Sequence, residues 1–598
     1  MGLINDRIRP KPIVVGEVRQ SQIITTFGIG SMVDFVNQTV MISGMDNWNW
    51  QDDKNYIVRN TSLQNLLGVK YFVRPKTSQP DNFWEKEKSA DLQAVIFPKM
   101  LYNPKCKKIE RAGKGDCKYD KGIYKCYCGK CQGKNQYYPS RFVLVCPKGH
   151  IDEFPYHWWI HEAQGKKCTA ERPEIRMYHV GNKTDMDSLI VECSCCGNKR
   201  SMKGASAQAA FSKYKCTGNR PWLGDNEECD SFMQMRIRSE SSVYFPCTVS
   251  ALTIPPWSTK IAQRLQEIKS ECEKLFGVLS DAYKTWIIDK VSKEFSNVER
   301  TALVELLDRL LRDEKENVQT MQSLKEDEYD AILASNEEDT SGDYVSHEGE
   351  VPDDYNDIIE RVIVIDRLTV VTAMVGFTRL TAPKRYYDEN IVPISKGKKE
   401  WYPGIEQKGE GVFIKFNQSM LDKWTSLYGK RYEFMKNNLN ESFFNKEDFS
   451  PQYVFLHTFA HLFIRELSNL CGYSSASIKE RIYSTYKSGD KKMSGVLVYT
   501  STSDSDGSLG GLMEQAQKVN LDRILNSMLE RGKWCSSDPV CYMSKEQGFM
   551  SLNYAACYAC ALLSETSCEF HNVLLDRCSV CGMPGNEELG VFNWRKRS

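Results

Sequence analysis

Runs of β-branched and aromatic residues predict strands in the last third of the chain. They occupy residues 361–366, 370–379, 411–416 and 496–500, and polar or glycine-bearing segments bound them, which is typical of buried strands. A polar loop with glycines at residues 503–511 follows the last run, and a helix is predicted from Leu512 onward. A strand, a glycine-bearing loop and a helix in this order favour a phosphate or metal site at the loop.

Apolar residues at helical spacing mark two further segments. Residues 258–320 show helical periodicity, with apolar residues spaced so that they share one face of a helix. A capping box at Ser296 and Glu299 predicts the start of another helix. A second helix is predicted over residues 455–467, and Gly472 suits its C-terminal cap. The first apolar face consists of Leu265, Ile268, Cys272, Leu275, Phe276 and Leu279.

These elements predict a mixed α/β, multidomain protein with zinc-ribbon-like modules and a central helical segment. At 598 residues the chain is too long for one hydrophobic core. We expect an N-terminal mixed α/β region (1–104), a zinc-ribbon region with a basic patch (105–250), a helical segment (255–322), an acidic linker (323–360) and a C-terminal α/β zinc-binding domain (361–598).

Composition and motifs exclude several classes of protein. The net charge of +1 gives no global attraction to nucleic acid, so DNA binding would depend on a local patch. We find no apolar run long enough to span a membrane and no signal peptide, so a cytoplasmic location is expected. Neither a Walker loop nor a GxGxxG motif occurs, so ATP hydrolysis by this chain is not expected.

The chain contains 22 cysteines, and many form Cys-x-x-Cys pairs. In a chain without an export signal, this spacing favours Zn²⁺ as cofactor over disulfides. The spacing of the cysteines predicts three sets of zinc ligands. Cys106 and Cys117 belong to none of these sets.

Two of these sets lie in the predicted zinc-ribbon region. The first set is Cys128, Cys131, Cys146 and His150, and the second is Cys193, Cys196, Cys216 and Cys229. In the first set, Cys126 is an alternative ligand to Cys128. In the second set, Cys195 and Cys168 are alternative ligands, and a pair of buried thiols without metal is the other interpretation.

The third set lies near the end of the chain. Cys557 and Cys560 form a Cys-x-x-Cys pair that supplies two zinc ligands, and Cys568 supplies a third. Either Cys541 or Cys535 supplies the fourth ligand of the tetrahedral site, and Cys541 is favoured. A further Cys-x-x-Cys pair, Cys578 and Cys581, lacks two ligands, for which Cys535 and His571 are candidates.

Two segments have a strongly biased charge. Residues 105–134 carry ten Lys or Arg against three acids, with tyrosines between them. This pattern predicts a phosphate-binding patch, and a solvated module surface is the alternative. Residues 326–360 carry fourteen acids and no Lys or Arg, which predicts a mobile linker, and a DNA-mimicking segment that shields a basic groove is the alternative. The basic candidates are Lys105, Lys107, Lys108, Arg111 and Lys114.

The glycine-bearing loop and the predicted helix before it offer weaker candidates. Asp504 and Asp506 are able to cap a helix, to chelate a metal, or to join Gly507, Gly510 and Gly511 in an anion-binding nest.

The helix before the loop carries His457 and His461 four positions apart, as in zinc proteases. Thr458 replaces the glutamate which that motif needs as a base, so a core or supporting role is expected for the two imidazoles.

Several of these motifs together resemble a known family. The runs 457–462, 504–512, 535–541, 557–560 and 565–569 resemble a zinc-binding domain found at the C-terminus of certain superfamily 2 helicases and in their free-standing partners. Residues 22–30 and 141–150 extend the likeness to the helicase-associated subunits of bacterial DISARM anti-phage systems. The resemblance implies that four cysteines hold zinc, and this role carries over to Cys541, Cys557, Cys560 and Cys568.

The resemblance also implies a function. We expect a non-catalytic, DNA-binding partner of a superfamily 2 helicase (DrmA-like) in a restriction-like defence heterodimer, with a DNA methyltransferase in the same system. One alternative is a metal-dependent hydrolase or nuclease that uses Asp504, Asp506, His457 and His461. Another is an assembly scaffold that does not contact DNA.

Overall fold

The structure is a computed structural model that describes residues 14–76, 92–120, 122–170, 172–254, 264–269, 271–272, 281–295, 300–301, 303–304, 306–308, 311, 320–334, 344–383, 389–442, 449–485, 491–501 and 511–593. The chain forms two compact units of three stretches each. One comprises Met1–Val58, Tyr71–Val249 and Ala373–Ile405, and the other comprises Arg59–Lys70, Ser250–Thr372 and Glu406–Ser598. The five consecutive domains expected from the sequence stay a prediction.

Helices and strands both contribute throughout, which confirms the mixed α/β class. The α-helices are α1 (Gln20–Thr25), α2 (Thr61–Leu67), α3 (Tyr156–Ile160), α4 (Asp281–Glu294), α5 (Met321–Ala334), α6 (Gln418–Glu441), α7 (Pro451–Cys471), α8 (Gly511–Gln515), α9 (Lys518–Gly532), α10 (Val540–Met543) and α11 (Cys578–Cys581).

The strands are mostly short, and the two longest lie after residue 358. They are β1 (Met32–Asp34), β2 (Thr39–Ile42), β3 (Ile57–Val58), β4 (Tyr71–Val73), β5 (Ala94–Ile96), β6 (Met100–Tyr102), β7 (Lys108–Arg111), β8 (Cys117–Asp120), β9 (Ile123–Cys126), β10 (Asn135–Gln136), β11 (Tyr138–Pro139), β12 (Phe142–Val145), β13 (Ile151–Glu153), β14 (Ile175–His179), β15 (Leu189–Cys193), β16 (Lys199–Ser201), β17 (Asn219–Arg220), β18 (Asp225–Asn226), β19 (Gln234–Ile237), β20 (Phe245–Leu252), β21 (Val345–Gly349), β22 (Ile359–Thr378), β23 (Trp401–Phe416), β24 (Ile478–Ser484) and β25 (Ser494–Thr500).

The first unit is built from small antiparallel sheets. The largest has the strand order β11-β6-β7-β14-β15-β16, and three-stranded sheets are ordered β1-β2-β5, β10-β9-β8 and β13-β12-β19. Strands β17 and β18 form a hairpin. Cys146 lies in the turn between β12 and β13, and Cys195 and Cys196 lie in the turn between β15 and β16.

The second unit is organised around a sheet with the order β20-β22-β23-β25-β24, and β21 lies beside β22. Helix α7 contacts β24 and β25 and also packs against α9. Phe455, Phe459, Val496 and Val498 lie in the core that these elements share. The strands predicted at residues 411–416 and 496–500 are confirmed as parts of β23 and β25, and the two runs before them form one strand, β22.

Local sequence explains where α7 begins and ends. The Ser450 side chain accepts a hydrogen bond from the Tyr453 N–H, Pro451 occupies the first turn, and Gly472 closes the helix in the left-handed region at φ 76°. The helix is buried over most of its length, including His457 and His461. The predicted helix and its glycine cap are therefore confirmed.

The acidic segment differs from the mobile linker expected from its charge. Residues 321–334 form α5, which buries Leu324, Tyr329 and Ile332, and β21 and the start of β22 follow. Glu328 is 1% exposed because its carboxylate is paired with the buried Arg481. The number of acidic residues did not predict this structure, because it does not show which carboxylates have partners in the core.

Two further expectations concern helices. Leu265, Ile268 and Cys272 lie in one buried cluster with α4, whereas Ser296, Glu299 and the rest of the predicted apolar face are outside the described residues. Within the described part of the chain, we find no helix with the length and apolar character that a membrane crossing requires.

Candidate metal centres

All 22 cysteines lie in the described residues as free thiols. Five groups of four side chains hold their donor atoms within 4.8 Å of one another. A tetrahedral zinc ion with ordinary bond lengths separates two nitrogen or oxygen donors by about 3.3 Å and two sulfurs by about 3.8 Å. Distances within each group therefore test how well it fits zinc.

Site 1 contains Cys106, Cys126, Cys128 and Cys131, all buried. The Cys106 and Cys126 sulfurs lie 3.7 Å apart, and those of Cys126 and Cys128 lie 3.4 Å apart. The β8–β9 hairpin returns the chain to Cys106 and so closes the group. Four thiols at these spacings suit a structural zinc ion.

Site 2 contains Cys146, His150, Cys216 and Cys229. The Cys146 and Cys229 sulfurs are 3.7 Å apart, and Nδ1 of His150 lies 3.4 Å from the sulfur of Cys216. On the other side of the ring, Nε2 of His150 lies 2.6 Å from a carboxylate oxygen of Glu227. Because an ionised carboxylate only accepts, Nε2 carries the proton and Nδ1 presents its lone pair to the sulfurs.

Hydrogen bonds to sulfur also favour a thiolate at Cys146 in site 2. The N–H groups of Lys148 and Gly218 each donate across 3.3 Å, to Cys146 and Cys216 respectively. The neighbouring Cys216 thiol lowers the pKa of Cys146 to about 4. A cysteine ionised at neutral pH is already in the form that binds zinc.

Site 3 contains His161, Cys168, Cys193 and Cys196. Nε2 of His161 lies 3.2 Å from the Cys196 sulfur, and the Cys168 and Cys193 sulfurs are 4.0 Å apart. Nδ1 of His161 donates across 3.0 Å to the His157 carbonyl oxygen, which leaves Nε2 free to bind a metal.

Site 4 contains Cys535, Cys541, Cys557 and Cys560. Sulfur–sulfur distances are 3.5 Å from Cys535 to Cys557 and 3.8 Å from Cys560 to both Cys541 and Cys557. The Cys560 thiol lowers the pKa of Cys541 to about 5. These spacings match the edges of a zinc–cysteine tetrahedron closely.

Site 5 contains His457, His461, Glu480 and Cys568. Helix α7 supplies both imidazoles, β24 supplies the carboxylate, and a loop after site 4 supplies the thiol. Burial lowers the pKa of His457.

The structure groups the ligands differently from the spacing argument. Cys128 and Cys131 do not meet Cys146 and His150, because the β8–β9 hairpin faces Cys106 instead. Cys216 and Cys229 flank the β17–β18 hairpin and lie with Cys146 and His150, so Cys193 and Cys196 lie with His161 and Cys168. Sequence order alone does not reveal which hairpins face each other.

The C-terminal set also differs from the sequence expectation. Cys541, Cys557 and Cys560 are joined by Cys535, whereas Cys568 lies in site 5. Cys126, Cys168 and Cys535 were visible as alternatives in the spacing. Glu480 carried no signal, because a lone glutamate in a strand resembles any other.

The predicted phosphate-binding residues fall into two classes. Lys108 forms ion pairs with Asp116 and Glu174, and Arg111 pairs with Glu153. Lys105, Lys107 and Lys114 are exposed, and none has an ion-pair partner within the described residues. In the glycine-bearing loop, Gly511 begins α8, whereas Asp504, Asp506, Gly507 and Gly510 lie outside the described residues.

Two segments of the chain match known families. Residues 19–245 match a domain of unknown function (DUF8724), and residues 459–561 match the MrfA Zn-binding domain, which spans all four cysteines of site 4. The chain is therefore a multidomain α/β protein whose cofactor is zinc.

Similarity over nearly the full length identifies the family. The chain is 34% identical over 571 residues to the DISARM protein DrmB of Bacillus paralicheniformis, covering 91% of this chain and 97% of that protein. It belongs to the DISARM DrmB family, which confirms the resemblance drawn from its motifs.

Proposed function

We propose that this chain is a cytoplasmic, non-catalytic subunit of a bacterial DISARM anti-phage system that binds DNA and pairs with a DrmA-like superfamily 2 helicase. Family membership supports the defence role, and a DNA methyltransferase of the same system is a further partner. The DNA-binding part rests on one surface, the rim of site 1.

The rim of site 1 combines exposed cations with exposed aromatic rings. Lys105, Lys107, Lys114, Lys118, Lys130 and Lys134 are exposed around the four cysteines. Tyr119, Tyr127 and Tyr138 are each 41–45% exposed. Lysines that track a phosphate backbone, next to rings on which bases stack, are the usual features of a surface that binds single strands.

The alternative of a metal-dependent hydrolase receives no support from the described residues. His457 and His461 are both fully buried and face Glu480 and Cys568, so they have no access to a substrate. Their surroundings suit a structural role better than hydrolysis.

Fluorescence anisotropy with a single-stranded oligonucleotide tests the DNA-binding surface. The variant Lys130→Ala/Lys134→Ala should weaken binding and reduce the slope of log K against log salt by about 0.7 for each phosphate that the protein no longer neutralises. Tyr127→Ala should weaken binding by about 1–3 kcal/mol if a base stacks on that ring. A matched control is Lys183→Ala/Lys213→Ala, which removes two exposed lysines elsewhere in the same unit.

Co-purification with the helicase subunit completes the test. We expect the rim variants to retain the helicase while losing DNA affinity. If DNA affinity is the same in the rim and control variants, the protein is a scaffold without DNA contact. If the pure chain cleaves DNA, the non-catalytic assignment fails.

A further inference from the structure

We propose that His457, His461, Glu480 and Cys568 bind a zinc ion, so that the C-terminal unit holds a second metal centre besides the four-cysteine site 4. His457 and Cys568 lie outside residues 459–561, which match the MrfA Zn-binding domain. The inference is independent of DNA binding, because it rests only on the geometry of site 5.

The distances within site 5 suit one small ion. Nε2 of His457 lies 3.0 Å from Oε1 of Glu480 and 3.2 Å from the Cys568 sulfur, and Nε2 of His461 lies 3.3 Å from the same carboxylate oxygen. Two imidazoles, a carboxylate and a thiolate all belong to the ligand types that zinc accepts. The four donors therefore form one convergent set.

The tautomer of His461 points to a metal rather than a simple hydrogen bond. Nδ1 of His461 lies 2.8 Å from the Ala561 carbonyl oxygen, which only accepts, so Nδ1 carries the proton. In the neutral ring Nε2 then faces the Glu480 carboxylate with a lone pair. Two acceptors in contact repel each other unless a cation lies between them.

Unsatisfied polar atoms support the same conclusion. Within the described residues, Nε2 of His461 and Oε2 of Glu480 are buried without a hydrogen-bond partner. A buried polar group without a partner is destabilising, because it has lost its hydrogen bonds to water. Coordination to a metal would satisfy Nε2 of His461, which belongs to the convergent donor set.

The charges also balance. One carboxylate and one thiolate supply two negative charges, and the imidazoles are neutral, so a divalent cation makes the buried centre neutral. This matters because an uncompensated charge is costly in a core. The donors Glu480 and His457 have completely buried side chains.

The Cys568 loop has the local geometry of a metal-binding knuckle. The N–H groups of Phe570 and Asn572 donate to the Cys568 sulfur across 3.3 and 3.2 Å. The same hydrogen bond from two residues further along reaches Cys146 and Cys216 in site 2 and Cys535 in site 4. Four protein donors leave no open position, so this zinc is structural and joins α7, β24 and the Cys568 loop.

The first test is the zinc content of the purified full-length chain. Cys568→Ser and Glu480→Gln should each lower it by one equivalent, Cys541→Ser should lower it by one, and Cys541→Ser/Cys568→Ser by two. Unchanged zinc in a folded Cys568→Ser variant would overturn the proposal, because site 5 would then be a metal-free ion pair.

A second measurement uses only the wild-type chain, in case the variants do not fold. Anomalous diffraction at the zinc edge should show a peak between the four side chains, separate from the peak at site 4. Density for site 4 alone would overturn the proposal. If the wild-type chain shows both zinc peaks but does not bind DNA, the proposed function fails and this inference stands.

Discussion

The Glu328 carboxylate forms a paired set of hydrogen bonds with the Arg481 guanidinium, at 2.5 Å from Nε to Oε2 and 2.8 Å from Nη2 to Oε1. The Leu252 N–H and the Tyr483 hydroxyl also donate to this carboxylate, at 2.9 and 3.0 Å. Both charged side chains are almost completely buried. Part of the acidic segment therefore belongs to the core of the second unit.

Glu328→Gln should lower the free energy of unfolding by about 3–5 kcal/mol, because it leaves the Arg481 charge buried without its partner. Urea unfolding monitored by circular dichroism measures the change. Asp330→Asn is the control, since its pair with Lys491 is exposed and should be worth less than about 1 kcal/mol. Equal, small effects would show that this segment is only a linker.

The grouping of the zinc ligands can be read from paired substitutions. Cys106→Ser/Cys131→Ser should remove one zinc equivalent, because both residues belong to site 1. Cys131→Ser/Cys146→Ser should remove two, since these belong to sites 1 and 2. Zinc per chain is measured by mass spectrometry. A loss of only one equivalent from Cys131→Ser/Cys146→Ser would restore the pairing expected from sequence spacing, in which these two cysteines share one ion.

Glu227→Gln should weaken zinc binding at site 2 by about 10–100-fold, because the carboxylate orients the His150 ring. Competition with a chelator, followed by the kinetics of zinc release, measures the effect. Glu228→Gln changes the neighbouring exposed acid and should have no effect. Equal release in both variants would contradict a role for Glu227 in orienting the imidazole.

Asp576 offers a prediction that depends on pH. Its carboxylate is buried and lies 2.6 Å from both Nε of Arg431 and the Tyr428 hydroxyl. Burial would raise the pKa of Asp576, but Arg431 outweighs it and holds that pKa below the usual 3.8. Because the folded pKa is the lower one, the stabilisation is present above the unfolded pKa and is lost as pH falls through the folded value.

Asp576→Asn should therefore cost about 3–5 kcal/mol at pH 7, and less as the pH falls below 4. Urea unfolding of both chains across this range measures the difference. Tyr428→Phe removes one hydrogen bond and should cost only about 1 kcal/mol at neutral pH. A difference between wild type and Asp576→Asn that does not change with pH would contradict the ionised pair.

Local patterns allowed much of the second unit to be predicted. Helix α7 has a serine cap, a proline in its first turn and a glycine at its end, so its limits could be inferred before any tertiary contact was known. The β-branched runs that became β23 and β25 follow the same logic. These features depend on residues close together in the chain.

The ligand groups could not be predicted in the same way. Site 2 joins Cys146 to Cys229, 83 residues later, and site 5 joins His457 to Cys568, 111 residues later. Which distant hairpins meet depends on how the sheets pack, and no local spacing encodes it. Glu328 and Glu480 show the same limit for carboxylates, because burial and a distant partner decide their role.

The interleaving of the two units affects how the chain folds during synthesis. Ile24 and Met41 share a buried cluster with Phe377 and Trp401, which leave the ribosome more than 300 residues later. Until then the nascent chain exposes apolar surface, and such intermediates aggregate readily. The ligands of sites 1, 2 and 3 have all been made by residue 229, so these sites need zinc before that core is complete. We therefore expect this protein to need chaperone protection and a supply of zinc while it is being made.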